Sequence, residues 1–169
     1  MPIDLDNLLL SVSTVVGNRH NRPLSLEDYD RIEKNLDFRL PILVKRLFTE
    51  LTNGGFGPQS AILPLEEIVE IYADFRNPQD LSLEWRAGMI PFCDWGCMIL
   101  TVIDVSDECD DPVVFRYEPN MSEKDTYDYL HGCAFRGVGL FPECGSLSVW
   151  LRDWMAGIDL YSRPYKSKR

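Results

Sequence analysis

Residues 89–105 read MIPFCDWGCMILTVIDV, and this stretch determines the fold. Its first part, Met89 to Phe92, predicts a short strand, and Asp94-Trp95-Gly96 predicts a turn. From Met98 to Val105 the residues are nearly all apolar and often β-branched, which is typical of a central strand covered on both faces. Val113 to Tyr117 then predicts an antiparallel neighbour, joined to the central strand through an acidic loop.

Helical periodicity surrounds this β region. Apolar spacing predicts helices over 4–16, 25–37, 41–52 and 147–156, and a further helix that begins near Leu63-Pro64-Leu65 and is closed by Asn77-Pro78. Glycine and proline break any helix within 118–145, where Val138 to Phe141 predicts one more strand. Helices, then a strand meander, then a helix predict an α+β fold with an antiparallel sheet.

Length and composition predict one acidic, globular domain. The chain has 169 residues, of which 45% are apolar and 26% charged, with a formal net charge of −10. Such a length usually forms one domain, here residues 1–161, followed by a basic and flexible tail over 162–169. The negative charge disfavours direct nucleic-acid binding, because phosphate contacts need a basic face.

The chain is expected to be cytoplasmic. It has no run of 18 apolar residues, which disfavours a membrane span, and no basic region at its N-terminus, which disfavours a secretory signal. Its five cysteines, an odd number, indicate reduced thiols.

Acidic residues are concentrated in one segment. Nine of them lie between Asp104 and Asp128, and only Arg116 and Lys124 oppose them. Such a run is either a solvated loop with strand edges or a docking surface for a basic protein. Trp85, between Glu84 and Arg86, is expected to be partly exposed, and aromatic residues often anchor interfaces. The candidate partner-binding residues are Trp85, Asp104, Asp107, Glu108, Asp110, Asp111 and Glu118.

Catalytic and metal-binding alternatives have weaker support. Cys93 and Cys97 lack a protease-type signature and are interpreted as small apolar residues at a turn. Zinc ligands could come from these two with His131, Cys133 and Cys144, but only the Cys93–Cys97 pair has the spacing of a structural site. The acids after the central strand lack the pattern of a calcium loop, and a magnesium nuclease would need a basic groove. We therefore expect no cofactor, no metal and no enzymatic activity.

Four landmarks follow one another along the chain. The first is Leu40-Pro41, leading a helix that ends at Asn53-Gly54-Gly55, and the second is Leu63-Pro64-Leu65-Glu66-Glu67-Ile68. The third is Ile90-Pro91-Phe92-Cys93-Asp94-Trp95-Gly96-Cys97. The fourth is Ser146-Leu147-Ser148-Val149-Trp150-Leu151, continuing through Trp154 and Gly157 to Leu160. In this order they resemble the SUKH superfamily from Ser25 to Leu160, with Gly96-Cys97 where many relatives have Gly-Asp.

The resemblance implies a single α+β domain, with a twisted antiparallel sheet flanked by N-terminal and C-terminal helices, that functions by binding. Many bacterial members of the superfamily are immunity proteins that block the toxin domains of contact-dependent or polymorphic toxin systems. Fungal and animal relatives act as regulatory or scaffolding modules. The first hypothesis is therefore an immunity protein that neutralises a basic toxin domain such as a nuclease. The alternatives are a regulatory module without a toxin and a metal-dependent enzyme.

The tryptophans carry separate expectations. Trp150 and Trp154 lie one helical turn apart, which places both in the core. Trp95, beside Gly96, is either a lid over the core or an exposed anchor.

Overall fold

The helices begin where the sequence offers caps. The computed structural model describes residues 4–17, 21–76, 85–119 and 139–162. The side chains of Asp4 and Ser25 accept backbone hydrogen bonds from the first turns of the helices that follow them, each at 3.1 Å. The described helices are α1 (Leu5–Val16), α2 (Leu26–Glu33), α3 (Ile42–Arg46), α4 (Leu65–Arg76) and α5 (Leu147–Met155).

The strands form one antiparallel meander, as the sequence predicts. In the described residues they are β1 (Met89–Asp94), β2 (Leu100–Asp104), β3 (Val113–Tyr117) and β4 (Leu140–Cys144), in the order β1-β2-β3-β4. The side chains of β2 are buried from Leu100 to Ile103, which confirms the central strand covered on both faces. The α+β fold class is therefore confirmed.

Several predicted elements have different bounds. Strand β1 continues to Asp94, which was predicted to lie in the turn, and β2 begins at Leu100 rather than Met98. The helix predicted over 25–37 ends at Glu33, where the Glu33 carboxylate instead accepts the Leu40 amide at 2.8 Å. The helix predicted over 41–52 changes at Leu47 into a π-turn, in which Thr52 N bonds to Leu47 O at 3.0 Å. The last strand, predicted from Val138 to Phe141, is described over Leu140–Cys144, and Val138 itself lies outside the described residues. Residues 120–138 and most of the predicted tail, 163–169, lie outside the described residues.

The core lies between the sheet and the helices. Helix α4 packs on β1, and α5 packs on α1, β3 and β4. Trp150 of α5 is fully buried and meets Phe92 edge-on at 6.3 Å between ring centroids. Trp154 is partly buried against Phe56, so it lies at the core margin. Within the described part of the chain, no helix is long and apolar enough to cross a bilayer.

Asn53-Gly54-Gly55 joins the first two landmarks of the sequence. The Asn53 side chain accepts the Leu65 amide at 2.9 Å and donates to Glu66 Oε2 at 2.8 Å, so it caps the start of α4. Gly54 has a φ of +69° and lies directly against the backbone of Leu63 and Pro64. The contact brings the end of the π-turn onto the start of α4.

Arg116 and Glu143 form a fully buried ion pair between β3 and β4. Arg116 Nε lies 3.1 Å from Glu143 Oε2, and both side chains are 0% exposed. The guanidinium also donates to the carbonyl oxygens of Leu160 at 3.0 Å and Tyr161 at 3.3 Å. Arg116 therefore fixes the segment after α5 to the sheet. The sequence analysis counted Arg116 among the bases that oppose the acidic residues of this segment. Because its side chain is buried, Arg116 does not have that role at the surface.

Candidate protein-interaction surface

The loop between β2 and β3, residues 105–112 (the acidic loop), presents carboxylates to solvent. Asp107, Glu108 and Asp110 are exposed, as predicted for a docking surface or a solvated loop. Glu108 has a φ of 49°, a left-handed conformation that non-glycine residues seldom adopt. The loop backbone therefore turns sharply at Glu108, between two further exposed acids.

Two other acids of the predicted set fix the ends of this loop. Asp104 forms an ion pair with Arg86 and accepts the Ser106 hydroxyl at 2.6 Å. At the other end, Asp111 accepts the Ser148 amide and the Ser148 hydroxyl, each at 2.7 Å. Ser148 lies in the first turn of α5, where a carboxylate is favoured by the orphan amides and the helix dipole. Both acids mainly serve the fold.

We expect Asp111→Ala to lower the free energy of unfolding by about 1–2 kcal/mol, because the first turn of α5 loses its external cap. The matched control is Asp110→Ala, which removes a neighbouring exposed carboxylate and should change stability by less than about 0.5 kcal/mol. Urea unfolding followed by tryptophan fluorescence measures both. Equal losses in the two variants would contradict the capping role.

The predicted exposure of Trp85 is wrong. Its side chain is 5% exposed, and its indole N–H donates to the Met89 carbonyl at 2.7 Å. The ring packs against Phe75 and Tyr117, with centroid distances of 4.6 and 5.3 Å. The prediction of exposure rested on the charged residues next to Trp85 in the sequence. Its burial is determined instead by residues of α4 and β3. Trp85 belongs to the core.

The prediction that Glu118 belongs to the docking surface is also wrong. The residue is 8% exposed and follows β3 directly, with its amide bonded to the Gly139 carbonyl at 2.7 Å. A buried carboxylate cannot serve as an exposed docking charge. Of the predicted binding residues, the structure therefore leaves Asp107, Glu108 and Asp110 fully available at the surface.

An open cleft of about 670 Å³ lies between the acidic loop and the connection from α2 to α3. Apolar residues form its walls and floor, namely Phe38, Leu40, Pro41, Ile42, Gly88 and Val105. Its charged lining residues are Asp37, Arg39, Glu108 and Asp110. The sequence analysis interpreted Leu40-Pro41 only as a helix start and missed this role. Nothing in the local pattern shows that the connection faces the acidic loop.

Trp95 is a lid. Its indole N–H donates to Thr101 Oγ1 at 2.8 Å, and its ring lies 4.8 Å from the Arg116 guanidinium carbon. The turn that follows Trp95 is strained, because Cys97 and Met98 both have positive φ. The side chains of Cys97 and Met98 are both exposed. The partly buried Trp95 thus covers the buried ion pair.

The thiol at position 93 is poorly suited to nucleophilic chemistry. Cys93 is fully buried, and burial raises the pKa of its thiol well above the ordinary value, which keeps it protonated. Cys97 and Cys109 are exposed, and Cys144 is partly buried. Over 4–17, 21–76, 85–119 and 139–162, no group of three or more His, Cys, Asp or Glu could hold a metal. His131 and Cys133 lie outside the described residues.

Comparison with known proteins agrees with the fold. Residues 23–152 match the SMI1 / KNR4 family (SUKH-1), a span that holds α2 to α4, the whole sheet and the first two turns of α5. No curated protein matches the chain significantly. Because the match covers most of the chain and the described architecture is the expected α+β domain, the chain belongs to the SMI1 / KNR4 family and so to the SUKH superfamily.

Proposed function

We infer that this chain is a non-enzymatic protein-binding domain, and specifically an immunity protein that neutralises a basic toxin domain. The observation that carries the inference is the acidic loop, whose Asp107, Glu108 and Asp110 are exposed while its two ends are fixed to the fold. Membership of a SUKH family supports the binding role. Taken alone, the family match supports a regulatory or scaffolding module as well as it supports an immunity protein.

Charge complementarity gives the acidic loop a physical role. A patch of one sign raises the rate at which an oppositely charged partner associates, and the effect weakens with salt. Because both ends of the loop are bonded to the fold, little conformational entropy is lost when a partner binds. A fixed carboxylate surface therefore suits rapid capture of a basic toxin domain inside the producing cell.

The first test of this function begins with the genes that neighbour the gene of this chain, among which an immunity role predicts one that encodes a toxin domain. That toxin domain is then co-expressed with the chain. Co-expression should restore growth of cells that produce the toxin, and the two proteins should copurify as a stoichiometric complex. If a complex forms without growth rescue, the chain is a scaffolding module and the immunity role is wrong. If neither complex nor rescue is found, binding to this toxin is excluded.

The second test isolates the charge of the loop. We expect the triple change Asp107→Asn, Glu108→Gln and Asp110→Asn to slow association with the toxin domain about tenfold at low salt. The matched control removes three exposed acids of α4, through Glu67→Gln, Glu70→Gln and Asp74→Asn. Surface plasmon resonance at two salt concentrations measures both. An equal effect of the control would assign the steering to net charge and not to the loop.

A further inference from the structure

We propose that the cleft beside the acidic loop receives an arginine side chain of the partner protein, presented next to aliphatic residues. This inference rests on the proposed function, because it names what the partner inserts. It commits to a protein segment as the occupant, since the acidic rim repels the phosphates of nucleic acids and of anionic membranes.

The apolar part of the cleft fits the stem of a long side chain. Leu40, Pro41 and Val105 are buried beneath it, and Ile42 is 40% exposed at its edge. The cleft is open to solvent and has a volume of about 670 Å³, which leaves room for an inserted side chain. Arginine covers apolar surface with its methylene groups while its charged end stays in a polar environment.

The rim of the cleft fits the charged end of that side chain. Asp37 stands on the α2–α3 side, and Glu108 and Asp110 stand on the side of the acidic loop. Arg39 is the one basic residue among the described residues that line the cleft, so the rim keeps an excess of negative charge. A guanidinium forms bidentate bonds with carboxylates, and arginine is frequent among the residues that dominate interface energies.

Both walls of the cleft are bonded to the fold. Val105 N bonds to Gly88 O at 2.9 Å, and Leu40 N bonds to Glu33 Oε1 at 2.8 Å. A cleft formed in this way loses little freedom on binding, so an inserted side chain can be selected by its shape and charge. The geometry therefore favours an arginine over a short cationic group that meets only the rim.

The test uses two capped pentapeptides, Gly-Leu-Arg-Leu-Gly and the same peptide with neutral citrulline in place of arginine. Each is titrated into the full-length ¹⁵N-labelled chain and followed by NMR. We expect the arginine peptide to shift the amides of Gly88, Val105 and Ser106 in a saturable way. The citrulline peptide, which has nearly the same shape without the charge, should bind about tenfold more weakly.

Variants of the chain separate the cleft from general attraction. Glu108→Gln with Asp110→Asn should reduce the affinity for the arginine peptide to the level of the citrulline peptide. Ile42→Ser should weaken both peptides alike. Glu67→Gln with Glu70→Gln, on α4, should leave both affinities unchanged.

The proposal is overturned if the cleft amides do not shift, if citrulline binds as well as arginine, or if the α4 control has the same effect as the loop variant. Because this titration contains no toxin, a negative result here leaves the immunity function standing. Failure of growth rescue likewise leaves the cleft result intact.

Discussion

Replacing Arg116 with methionine should lower the free energy of unfolding by about 3–5 kcal/mol, the usual loss when one member of a buried ion pair is removed. Glu143 would then lose the Arg116 guanidinium, to which its carboxylate is bonded at a place where both side chains are 0% exposed. The carbonyl oxygens of Leu160 and Tyr161 would also lose the guanidinium that binds them. Chemical unfolding followed by circular dichroism measures the loss.

A double variant separates the buried charge from the lost packing. In the wild-type chain the Trp150 indole donates to Glu143 Oε1 at 2.7 Å. In Arg116→Met with Glu143→Gln, the side chain at 143 is neutral and still offers the Trp150 indole an acceptor. We expect this variant to recover about 2 kcal/mol relative to the single change, because the buried carboxylate that Arg116 bonded is replaced by a neutral amide. No recovery would show that the cost of the single change comes from packing alone.

Replacing Gly54 with alanine should cost about 3 kcal/mol or more, through two effects that act together. Its φ of +69° is unfavourable for any residue with a Cβ atom. An added Cβ would also lie 2.4 Å from Pro64 N and 2.6 Å from the Leu63 carbonyl carbon. These are backbone atoms that can move only if the link between the π-turn and α4 opens.

Gly157, after α5, supplies the matched control for Gly54. Its φ is +75°, and an added Cβ would meet none of the described atoms within 4 Å. Gly157→Ala should therefore cost only the conformational part, about 1 kcal/mol. Urea unfolding of the two variants gives the difference, which measures the close approach at Gly54. Equal losses would show that the backbone there moves aside.

Local patterns were sufficient for the elements whose signals are local. Asp4, Ser25 and Ser146 have the short polar side chains that favour helix starts and they cap the helices that follow them, and β2 is buried as its run of apolar residues indicated. The π-turn at Leu47 escaped prediction because apolar spacing over 41–52 is equally compatible with a regular helix. Its extra residue is visible only in the hydrogen bond from Thr52 to Leu47.

The candidate site depended on contacts that no local pattern contains. Asp104 and Asp107 look alike in the sequence, yet Asp104 is paired with Arg86 while Asp107 is exposed. Trp85 was misjudged for the same reason, since its partner rings come from distant parts of the chain. A run of acids predicts a charged surface, but only tertiary packing decides which of its members support the fold.

Asp104 and Asp111 bond the ends of the acidic loop to the fold, while the residues between them are exposed. Residues 107–110 are exposed, and substitutions at exposed positions usually alter stability by less than about 0.5 kcal/mol. Changes confined to these four neighbouring residues should therefore alter the charge and shape of the exposed loop, while the described helices and strands stay as they are.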